Sequence, residues 1–335
     1  MRRPVVVAIA LLGAAVIGTH GLQASGANFT ATARSNPSNQ FSAAAAFTGV
    51  RLATGSYTGD AVDNRAITGI GFTPEIVIVK GNNAQVAVLR SSTMTGDASK
   101  PLGGATALTA NLIQSLDANG FTLGNDARVN ASGIAFQWVA IRTRSDSVVT
   151  GNYTGNGANR SITGLPFSPE YVAVLSAGAN APVERFNGMT SSFRFDSDAG
   201  TTTRITALNA NGFSVGTAAE VNTNGTVYHY LAFNDTVGSI KVGSYTGTAA
   251  DNRNITGVGF QPQYLNLRAN DTATARRGVH RPASLSGDAA LGFDPQANVA
   301  NVIQAIQADG FQVGTDAAAN ANGVTYNYLA LKNVP

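Results

Sequence analysis

Apolar residues alternate with variable ones in a short segment that occurs three times along the chain. The segment spans residues 76–80, 171–175 and 264–268, and its second and fourth positions are always Val or Leu. The remaining positions hold residues as different as Ile, Tyr, Asn and Arg. Because successive side chains of a β-strand point to opposite faces, the pattern predicts a strand with one face fixed in a core and a freer opposite face.

A second alternating segment closes each copy. In the first copy Val139 and Ile141 share one face, and Phe136 and Trp138 share the other. The pattern recurs in the other copies at Leu231 and Phe233 with Tyr228 and Tyr230, and at Leu329 and Leu331 with Tyr326 and Tyr328. We therefore predict a closing strand with one aliphatic and one aromatic face.

Turn signals mark a hairpin in each copy. An Asn-Gly or Asp-Gly pair precedes Phe121, Phe213 and Phe311, and such pairs accept the positive φ angles of tight hairpins. Before the third pair, the apolar residues between Val299 and Ile306 have helical spacing, whereas copy two reads TTTRITALNANG and favours a strand. We predict a strand leading into each hairpin, with a helical turn left open in copy three.

These segments belong to one long repeat. The stretch GSYTGDAVDNRAITGIGFTPE begins at Gly55 and returns, with changes, at Gly151 and Gly243. The period, roughly 95 residues, is longer than that of solenoid units, so each copy is expected to be a domain with its own core. With about six or seven strands per copy, the predicted fold class is all-β: three tandem antiparallel β-sandwich domains after a signal peptide and a short N-terminal segment. The predicted boundaries are 1–27 for the signal peptide, 28–52 for the N-terminal segment, and 53–146, 147–238 and 239–335 for the repeats.

The N-terminus has the pattern of a secretory signal. Arg2 and Arg3 precede an apolar run at residues 5–17, and small residues follow, as in the n-, h- and c-regions of a leader. The run is short for a membrane-spanning helix of about 20 residues. We predict export with cleavage after Ala24 or Ala27, and hence an extracellular or cell-surface location; an uncleaved anchor is the alternative.

Composition limits the partners and the chemistry. The chain has 22 Lys and Arg against 19 Asp and Glu, and cleavage would remove two arginines, so the mature chain is nearly neutral. Attraction to nucleic acid or to an anionic membrane is therefore not expected. The absence of cysteine excludes disulfides, thiol nucleophiles and Cys-ligated metals.

Neither the histidines nor the carboxylates form a catalytic or metal-binding motif. His229 and His280 have no partner at the spacing that a metal site or a catalytic pair needs. Asp97 and Asp288 share a repeated position that copy two fills with Ser192, which favours turn roles. We predict a protein without enzymatic activity, cofactor or metal.

Repeated arginines and aromatic residues are the candidates for ligand binding. An arginine can hold a carboxylate, phosphate or sugar hydroxyl through two hydrogen bonds, or it can bracket a loop by bonding backbone carbonyls. The closing-strand rings can stack on sugars, or they can complete a core or cover a domain junction. The candidate set is Trp138, Tyr228, Tyr230, Tyr326, Tyr328, Arg65, Arg160 and Arg253, and Arg90, Arg185 and Arg281 recur in a second frame.

The glycine-rich step GIGF at residues 69–72 is a possible phosphate cradle, in which backbone amides approach an anion. Copy two has Pro166 in place of Gly71, and proline has no amide hydrogen and a fixed φ. We therefore expect that Gly71 needs neither a positive φ nor a donated hydrogen bond.

The Gly-Tyr opening, the ITGxxFxP step, the NGF turn and the aromatic closing strand together resemble a repeat of phage tail and tail-fibre proteins. The resemblance covers nearly all of residues 53–333 and implies an all-β module. Family members often have tryptophan in the closing strand; here only Trp138 matches, and Tyr230 and Tyr328 replace it in the other copies.

Residues 27–47, ANFTATARSNPSNQFSAAAAF, resemble the mature start of camelysin-like and biofilm-matrix fibre proteins, with Ala44 where that pattern has glycine. The resemblance implies an exported surface or matrix protein. It also permits a free N-terminal strand that pairs with the sheet edge of a neighbouring copy; the alternative is a disordered tether.

These observations lead to one main functional hypothesis and two alternatives. The main hypothesis is an exported, non-enzymatic surface or extracellular-matrix protein with a structural or adhesive role. The alternatives are an array of carbohydrate-binding modules and a structural protein similar to phage tail fibres. The expected partners are cell-surface glycans, or copies of the chain itself through the N-terminal strand, with no nucleic acid and no membrane in the mature form.

Overall fold

A computed structural model describes residues 50–236 and 238–334. The predicted signal peptide, and the N-terminal segment as far as residue 49, lie outside the described residues. The regular secondary structure of the described chain is almost entirely β-strand, in three similar groups of antiparallel sheets that follow one another in sequence. The predicted fold class, all-β with three tandem antiparallel repeats, is confirmed.

Repeat 1 has a five-stranded sheet in the order β1-β8-β3-β4-β5 and a three-stranded sheet in the order β2-β7-β6. Its elements are β1 (Arg51–Thr58), β2 (Arg65–Thr68), β3 (Ile76–Gly81), β4 (Val88–Ser91), β5 (Lys100–Pro101), β6 (Ile113–Asp117), β7 (Gly120–Leu123), the single helical turn α1 (Ala127–Asn130) and β8 (Ala135–Arg142). Eight strands per repeat exceed the predicted number, because the fifth strand has only two residues and leaves no periodic signal.

Repeats 2 and 3 have the same two sheets. Repeat 2 consists of β9 (Val148–Thr154), β10 (Arg160–Thr163), β11 (Tyr171–Ser176), β12 (Val183–Phe186), β13 (Phe193–Arg194), β14 (Ile205–Asn209), β15 (Gly212–Val215), α2 (Ala219–Asn222) and β16 (Val227–Phe233). Repeat 3 consists of β17 (Ile240–Thr246), β18 (Arg253–Thr256), β19 (Tyr264–Ala269), β20 (Val279–Pro282), β21 (Leu291–Gly292), β22 (Ile303–Gln307), β23 (Gly310–Val313), α3 (Ala317–Asn320) and β24 (Thr325–Leu331).

The predicted hairpins form in all three copies, between β6 and β7, β14 and β15, and β22 and β23. The segment before the third turn is the strand β22, and residues 297–302 contain no helical turn. The glycine of the turn has a reason besides the expected positive φ, which Gly212 and Gly310 adopt at +157° and +146°. A Cβ on Gly120 would stand 1.9 Å from the carbonyl oxygen of Ile67 on the adjacent strand, so only glycine lets β2 approach.

Each repeat has its own core between its two sheets, which we call the repeat core. In repeat 1 it contains the fixed face of the first predicted strand, Val77 and Val79, together with Phe121 from the small sheet. The aromatic face of the closing strand, with Phe136 and Trp138, points into the same core. Clusters from equivalent strands fill repeats 2 and 3.

The opposite faces of the five-stranded sheets form a fourth cluster, the central core, to which all three repeats contribute. Its members include Ile76, Ile78, Val139 and Ile141 from repeat 1, Tyr171, Ala173, Leu231 and Phe233 from repeat 2, and Tyr264, Leu329 and Leu331 from repeat 3. The face expected to be freer is therefore buried as well. Its residues vary because three faces must fill one space, and three equal large side chains would collide where a mixture packs.

The GIGF turn corrects an expectation. Gly71 has a φ of +86°, and its amide donates a 2.6 Å hydrogen bond to Oδ1 of Asn119. Gly259 repeats both features with Asp309 in repeat 3. The expectation that Gly71 needs neither property was wrong, since one copy with proline shows only that the turn has a second solution.

No helix in residues 50–236 and 238–334 is both long enough and apolar enough to cross a membrane.

The central core makes stability depend on pH through His280. This side chain is buried, its ring stacks on Phe293 at 4.4 Å, and neither ring nitrogen has a hydrogen-bond partner among the described residues. Burial, with a smaller effect from nearby Lys80, lowers the pKa of His280 to about 3. Because the unfolded chain takes up this proton near pH 6.5, stability contributed by the neutral ring is present above that pH and is lost as the pH falls toward the folded pKa.

We therefore expect His280→Leu to improve stability selectively in acid. Leucine is the residue that repeat 1 has at the equivalent position, Leu89. The free energy of unfolding of the variant minus that of the parent should increase by about 2 kcal/mol as the pH falls from 7.5 to 5. Urea unfolding followed by tryptophan fluorescence at both pH values measures the change. A constant difference between the two proteins across this range would contradict the assignment.

Candidate functional site

The aromatic residues of the predicted ligand site lie inside the repeat cores. The indole ring of Trp138 packs against Gly55 of the neighbouring strand, and a Cβ on Gly55 would come within 2.4 Å of the ring. Tyr230 and Tyr328 cross Gly151 and Gly243 in the same way, which accounts for the repeated glycine at the start of each copy. Trp138 and Tyr328 are buried and Tyr230 is half-buried.

The other two predicted rings, Tyr228 and Tyr326, are fully buried. Their hydroxyls donate to the carbonyls of Ala219 and Ala317, each at 2.7 Å. The rings therefore pack in the repeat cores, where four of the five are buried, and Tyr228 and Tyr326 fix the helical turns.

The predicted arginines bind backbone carbonyls of their own repeats. Arg65 donates from Nη1 to the carbonyl of Thr58 at 2.6 Å and lies 4.8 Å above the ring of Tyr57. The same arrangement joins Arg160 to Thr154 and Tyr153, and Arg253 to Thr246 and Tyr245. Of the two alternatives for these arginines, the structure shows the bracketing of a loop.

The second frame of arginines does the same inside the five-stranded sheets. The buried Arg185 donates to the carbonyls of Met189, Thr190 and Ile205. Arg90 and Arg281 each reach four such carbonyls in their own repeats. A surface cleft of about 580 Å³ borders Arg281, but the two Nη atoms of this guanidinium are already engaged with the protein.

A buried asparagine at the end of each helical turn was missed by the sequence analysis. Asn320 accepts hydrogen bonds from the amide of Thr248 and from Arg253, and it donates to the carbonyls of Ala250 and Gly314. Asn130 and Asn222 hold the opening loops of repeats 1 and 2 through similar bonds. The signal was present, because ARVN, AEVN and AAAN end in asparagine at the same repeated position.

The histidines and repeated aspartates are apart from one another. His229 bonds Thr93 through Nδ1 at 2.8 Å, and burial lowers the pKa of His229 to about 4. Asp97 and Asp288 accept hydrogen bonds from the backbone amides of Asn111 and Asn301, which lie beyond the next short strand. Among residues 50–236 and 238–334, no group of three or more His, Cys, Asp or Glu side chains is arranged to hold a metal ion.

The repeats contact one another in a cycle, and these contacts are the candidate site. We call the contact of repeat 1 with repeat 2 junction 1–2, that of repeat 2 with repeat 3 junction 2–3, and that of repeat 3 with repeat 1 the seam. At each of them, the loop that follows the fourth strand of one repeat contacts the closing strand of the other. The hydrogen bonds involved are Thr93 with His229 at 2.8 Å, Asn327 to the carbonyl of Asn187 at 3.4 Å, and Ser284 to Gln137 at 2.7 Å.

Junction 1–2 encloses a lysine without a carboxylate partner. Lys100 is fully buried, and its Nζ donates to the carbonyls of Ser176, Gly178 and Asn180 of repeat 2 at 2.7, 3.1 and 2.8 Å. Burial lowers the pKa of Lys100 to about 7, and the ring of carbonyl dipoles favours its charged form.

The other two junctions have an equivalent cation supplied by the opposite side. At junction 2–3, Arg268 of repeat 3 donates to the carbonyls of Asp196 and Asp198 of repeat 2 at 2.9 and 3.1 Å. At the seam, Lys80 of repeat 1 donates to the carbonyl of Gln296 of repeat 3 at 2.7 Å. All three cations are fully buried.

Each cation is matched with an apolar residue across its junction. Lys80, Leu175 and Arg268 occupy the fifth position of equivalent strands, and Lys100, Phe193 and Leu291 occupy equivalent positions of the short strands. The contact at junction 2–3 is direct, since Arg268 lies 4.9 Å above the ring of Phe193. By equivalence of position, the corresponding pairs are Lys100 with Leu175 at junction 1–2 and Leu291 with Lys80 at the seam.

Junction 2–3 also has a buried carboxyl. Glu184 accepts hydrogen bonds from Tyr171 at 2.9 Å and from Asn266 of repeat 3 at 2.8 Å. Burial raises the pKa of Glu184. At the same two positions, junction 1–2 has Leu89 and Ala173, and the seam has His280 and Ile78, so the three junctions differ chemically at one common place.

Backbone hydrogen bonds follow the same cycle. The amide of Ala87 donates to the carbonyl of Phe293 across the seam, and the amide of Gly278 donates to that of Phe195 across junction 2–3, both at 3.1 Å. Junction 1–2 has Pro182 at this position, which has no amide hydrogen. This is the one junction where the buried lysine comes from the short strand.

No protein-family model matches the chain, and no curated protein matches it in sequence.

The asparagine contacts predict a large effect of one substitution. Asn320→Ala should lower the free energy of unfolding by about 2 kcal/mol, because it leaves the buried carbonyl of Gly314 without a partner and releases the part-buried bonds to Thr248 and Ala250. Urea unfolding curves measure the loss. The matched control is Asn322→Ala, at an exposed position two residues away, which should change stability by less than about 0.5 kcal/mol. Equal losses of stability for the two variants would rule out the proposed role of the Asn320 hydrogen bonds.

Proposed function

We propose that this chain is an exported, non-enzymatic surface or extracellular-matrix protein whose role is structural or adhesive. The carrying observation is the use of its buried charged side chains. Lys80, Lys100 and Arg268 hold backbone carbonyls of neighbouring repeats instead of facing a cleft. Groups of this kind are where an enzyme would place its chemistry, and here they maintain the assembly of the repeats.

Two further observations support the proposal. The leader pattern with Arg2 and Arg3 favours export, and a protein without cysteine must then be stabilised by its core rather than by disulfides. The central core supplies this by joining three small sandwiches into one larger body, which buries a greater fraction of its surface than three separate ones. Such a block suits a role in which the protein bears load or presents a surface.

The carbohydrate-binding alternative loses its sequence argument, because the rings that suggested it are parts of the repeat cores. The alternative of a phage tail-fibre-like protein rests on the resemblance alone, and the leader argues against it.

The test begins with location. In the organism that encodes the chain, antibody detection should find the protein in the medium or at the surface. Mass spectrometry of its N-terminus should show cleavage after Ala24 or Ala27. A full-length protein confined to the cytoplasm would contradict the proposal.

A deletion strain should then lose adhesion or matrix cohesion, and the loss should be restored by the parent chain. Variants that keep the fold, such as Asn322→Ala, should restore it equally, because the role depends on the assembled body. If the purified protein has a hydrolase activity that substitution of one acidic residue abolishes, the proposed function is wrong and the protein is an enzyme.

A further inference from the structure

The seam differs from the two other junctions in one respect. Repeats 1 and 2, and repeats 2 and 3, are consecutive in the chain, whereas repeats 3 and 1 are not. The seam is closed instead by hydrogen bonds, from the amide of Val334 to the carbonyl of Val50 at 3.0 Å and from the amide of Leu52 to Oδ1 of Asn333 at 3.1 Å.

In its chemistry the seam equals the other junctions. It has a buried cation on a carbonyl (Lys80 on Gln296) and a backbone bond from Ala87. It also has a contact between the loop and the closing strand, from Ser284 to Gln137. We call the surface of a repeat that carries Lys80, Leu175 or Arg268 its face, and the surface that carries Lys100, Phe193 or Leu291 its loop side. The face of repeat 1 is thus a complete binding surface for repeat 3, and nothing in these contacts requires that both belong to one chain.

The cation pairs restrict which repeat can occupy which face. The loop side of repeat 1, with Lys100, can meet only the face of repeat 2, because the other two faces carry Lys80 and Arg268 and would bring two buried cations together. Repulsion of this kind is a common source of specificity.

Glu184 determines which face the loop side of repeat 2 can meet. Its carboxyl finds a hydrogen-bond donor in Asn266 on the face of repeat 3, whereas the face of repeat 1 has Ile78 at that position. A buried carboxyl without a donor is costly, so the loop side of repeat 2 selects repeat 3. The loop side of repeat 3, with Leu291, is left for the face of repeat 1.

We propose that the face of repeat 1 also binds repeat 3 of a second copy of this chain, so that chains join by exchanging a repeat. This inference rests on the proposed matrix function and gives it a mechanism of self-association. An exchanged dimer makes the same three kinds of junction as the closed monomer. The two forms therefore differ mainly in the connection between repeats and in the entropy of association.

The order of synthesis favours exchange during folding. Repeat 3 is made last, and the seam joins residues from opposite ends of the described chain, so the seam closes late. In that interval repeat 3 of a neighbouring chain competes for the face of repeat 1, and it does so more effectively where chains are concentrated.

The pairing rule provides the experiment. Leu291→Lys sets a second cation against Lys80, and Lys80→Leu removes the cation from the seam. Each variant alone has a mismatched seam. After the two are unfolded together and refolded, an exchanged heterodimer regains one parental seam and one seam with the lysine–leucine pairing of junction 1–2. We expect the heterodimer, identified by a tag on one variant and by light scattering, to become the main species.

Two controls accompany the mixture. The double variant Leu291→Lys with Lys80→Leu has a matched seam in one chain and should refold as a monomer at low concentration. Leu175→Lys places a second cation against Lys100 at junction 1–2. Mixing this variant with Lys80→Leu should give no heterodimer, because exchange of repeat 3 creates no matched set of junctions. A heterodimer in this control, or none in the main mixture, would overturn the proposal.

The parent chain gives a test that needs no variant. Isotope-labelled and unlabelled chains refolded together should form mixed dimers in native mass spectrometry, and the ratio of dimer to monomer should double when the concentration of monomer doubles. Monomers alone at every concentration would overturn the exchange. A protein that exchanges repeats but is cytoplasmic would contradict the matrix function and leave the exchange standing.

Discussion

The structure depends on buried cations that bind the backbone carbonyls of a neighbouring repeat. A charged group without water needs several hydrogen bonds or a counter-charge to remain ionised, and Lys100 obtains them from the carbonyls of Ser176, Gly178 and Asn180. The carbonyls benefit in turn, because they belong to loop and strand-end residues at the edge of the central core. Without the ammonium group the carbonyl of Ser176 would be buried without this donor. The contact therefore couples the position of one repeat to the backbone conformation of the next.

The central core imposes a second constraint, which explains the unequal conservation of the two strand faces among the repeats. A repeat core is filled by one repeat, so the same solution, Val or Leu at both fixed positions, works three times. The central core is filled by three repeats at once. Ile78, Ala173 and Asn266 occupy equivalent strand positions, yet each faces a different partner, so no single residue type suits all three.

Much of the fold could be predicted from alternation and turn residues, because both are local. The strands, their inward faces and the three hairpins follow from period-two patterns and Asn-Gly or Asp-Gly pairs. The central core could not be predicted in this way, since periodicity identifies the residues that share a face but not what covers that face. The arginine brackets were one of two open alternatives, and residue type alone does not separate a guanidinium on a carbonyl from one on a ligand. The role of Asn320 was within reach, because a polar residue that recurs at one position of a repeat is expected to bond something that also recurs.

Buried charge explains why the repeats have a fixed order at all. Three identical apolar faces would pack in any arrangement. A lysine that tolerates only one of three faces, and a carboxyl that finds a donor on only one, give up some stability and leave the chain order as the one arrangement without a conflict. The same residues that prevent mispairing within a chain also define the correct partner between chains, because the face of repeat 1 distinguishes repeats by their side chains and not by their covalent connection. Specific order inside the molecule and specific recognition of a second copy are thus consequences of one set of contacts.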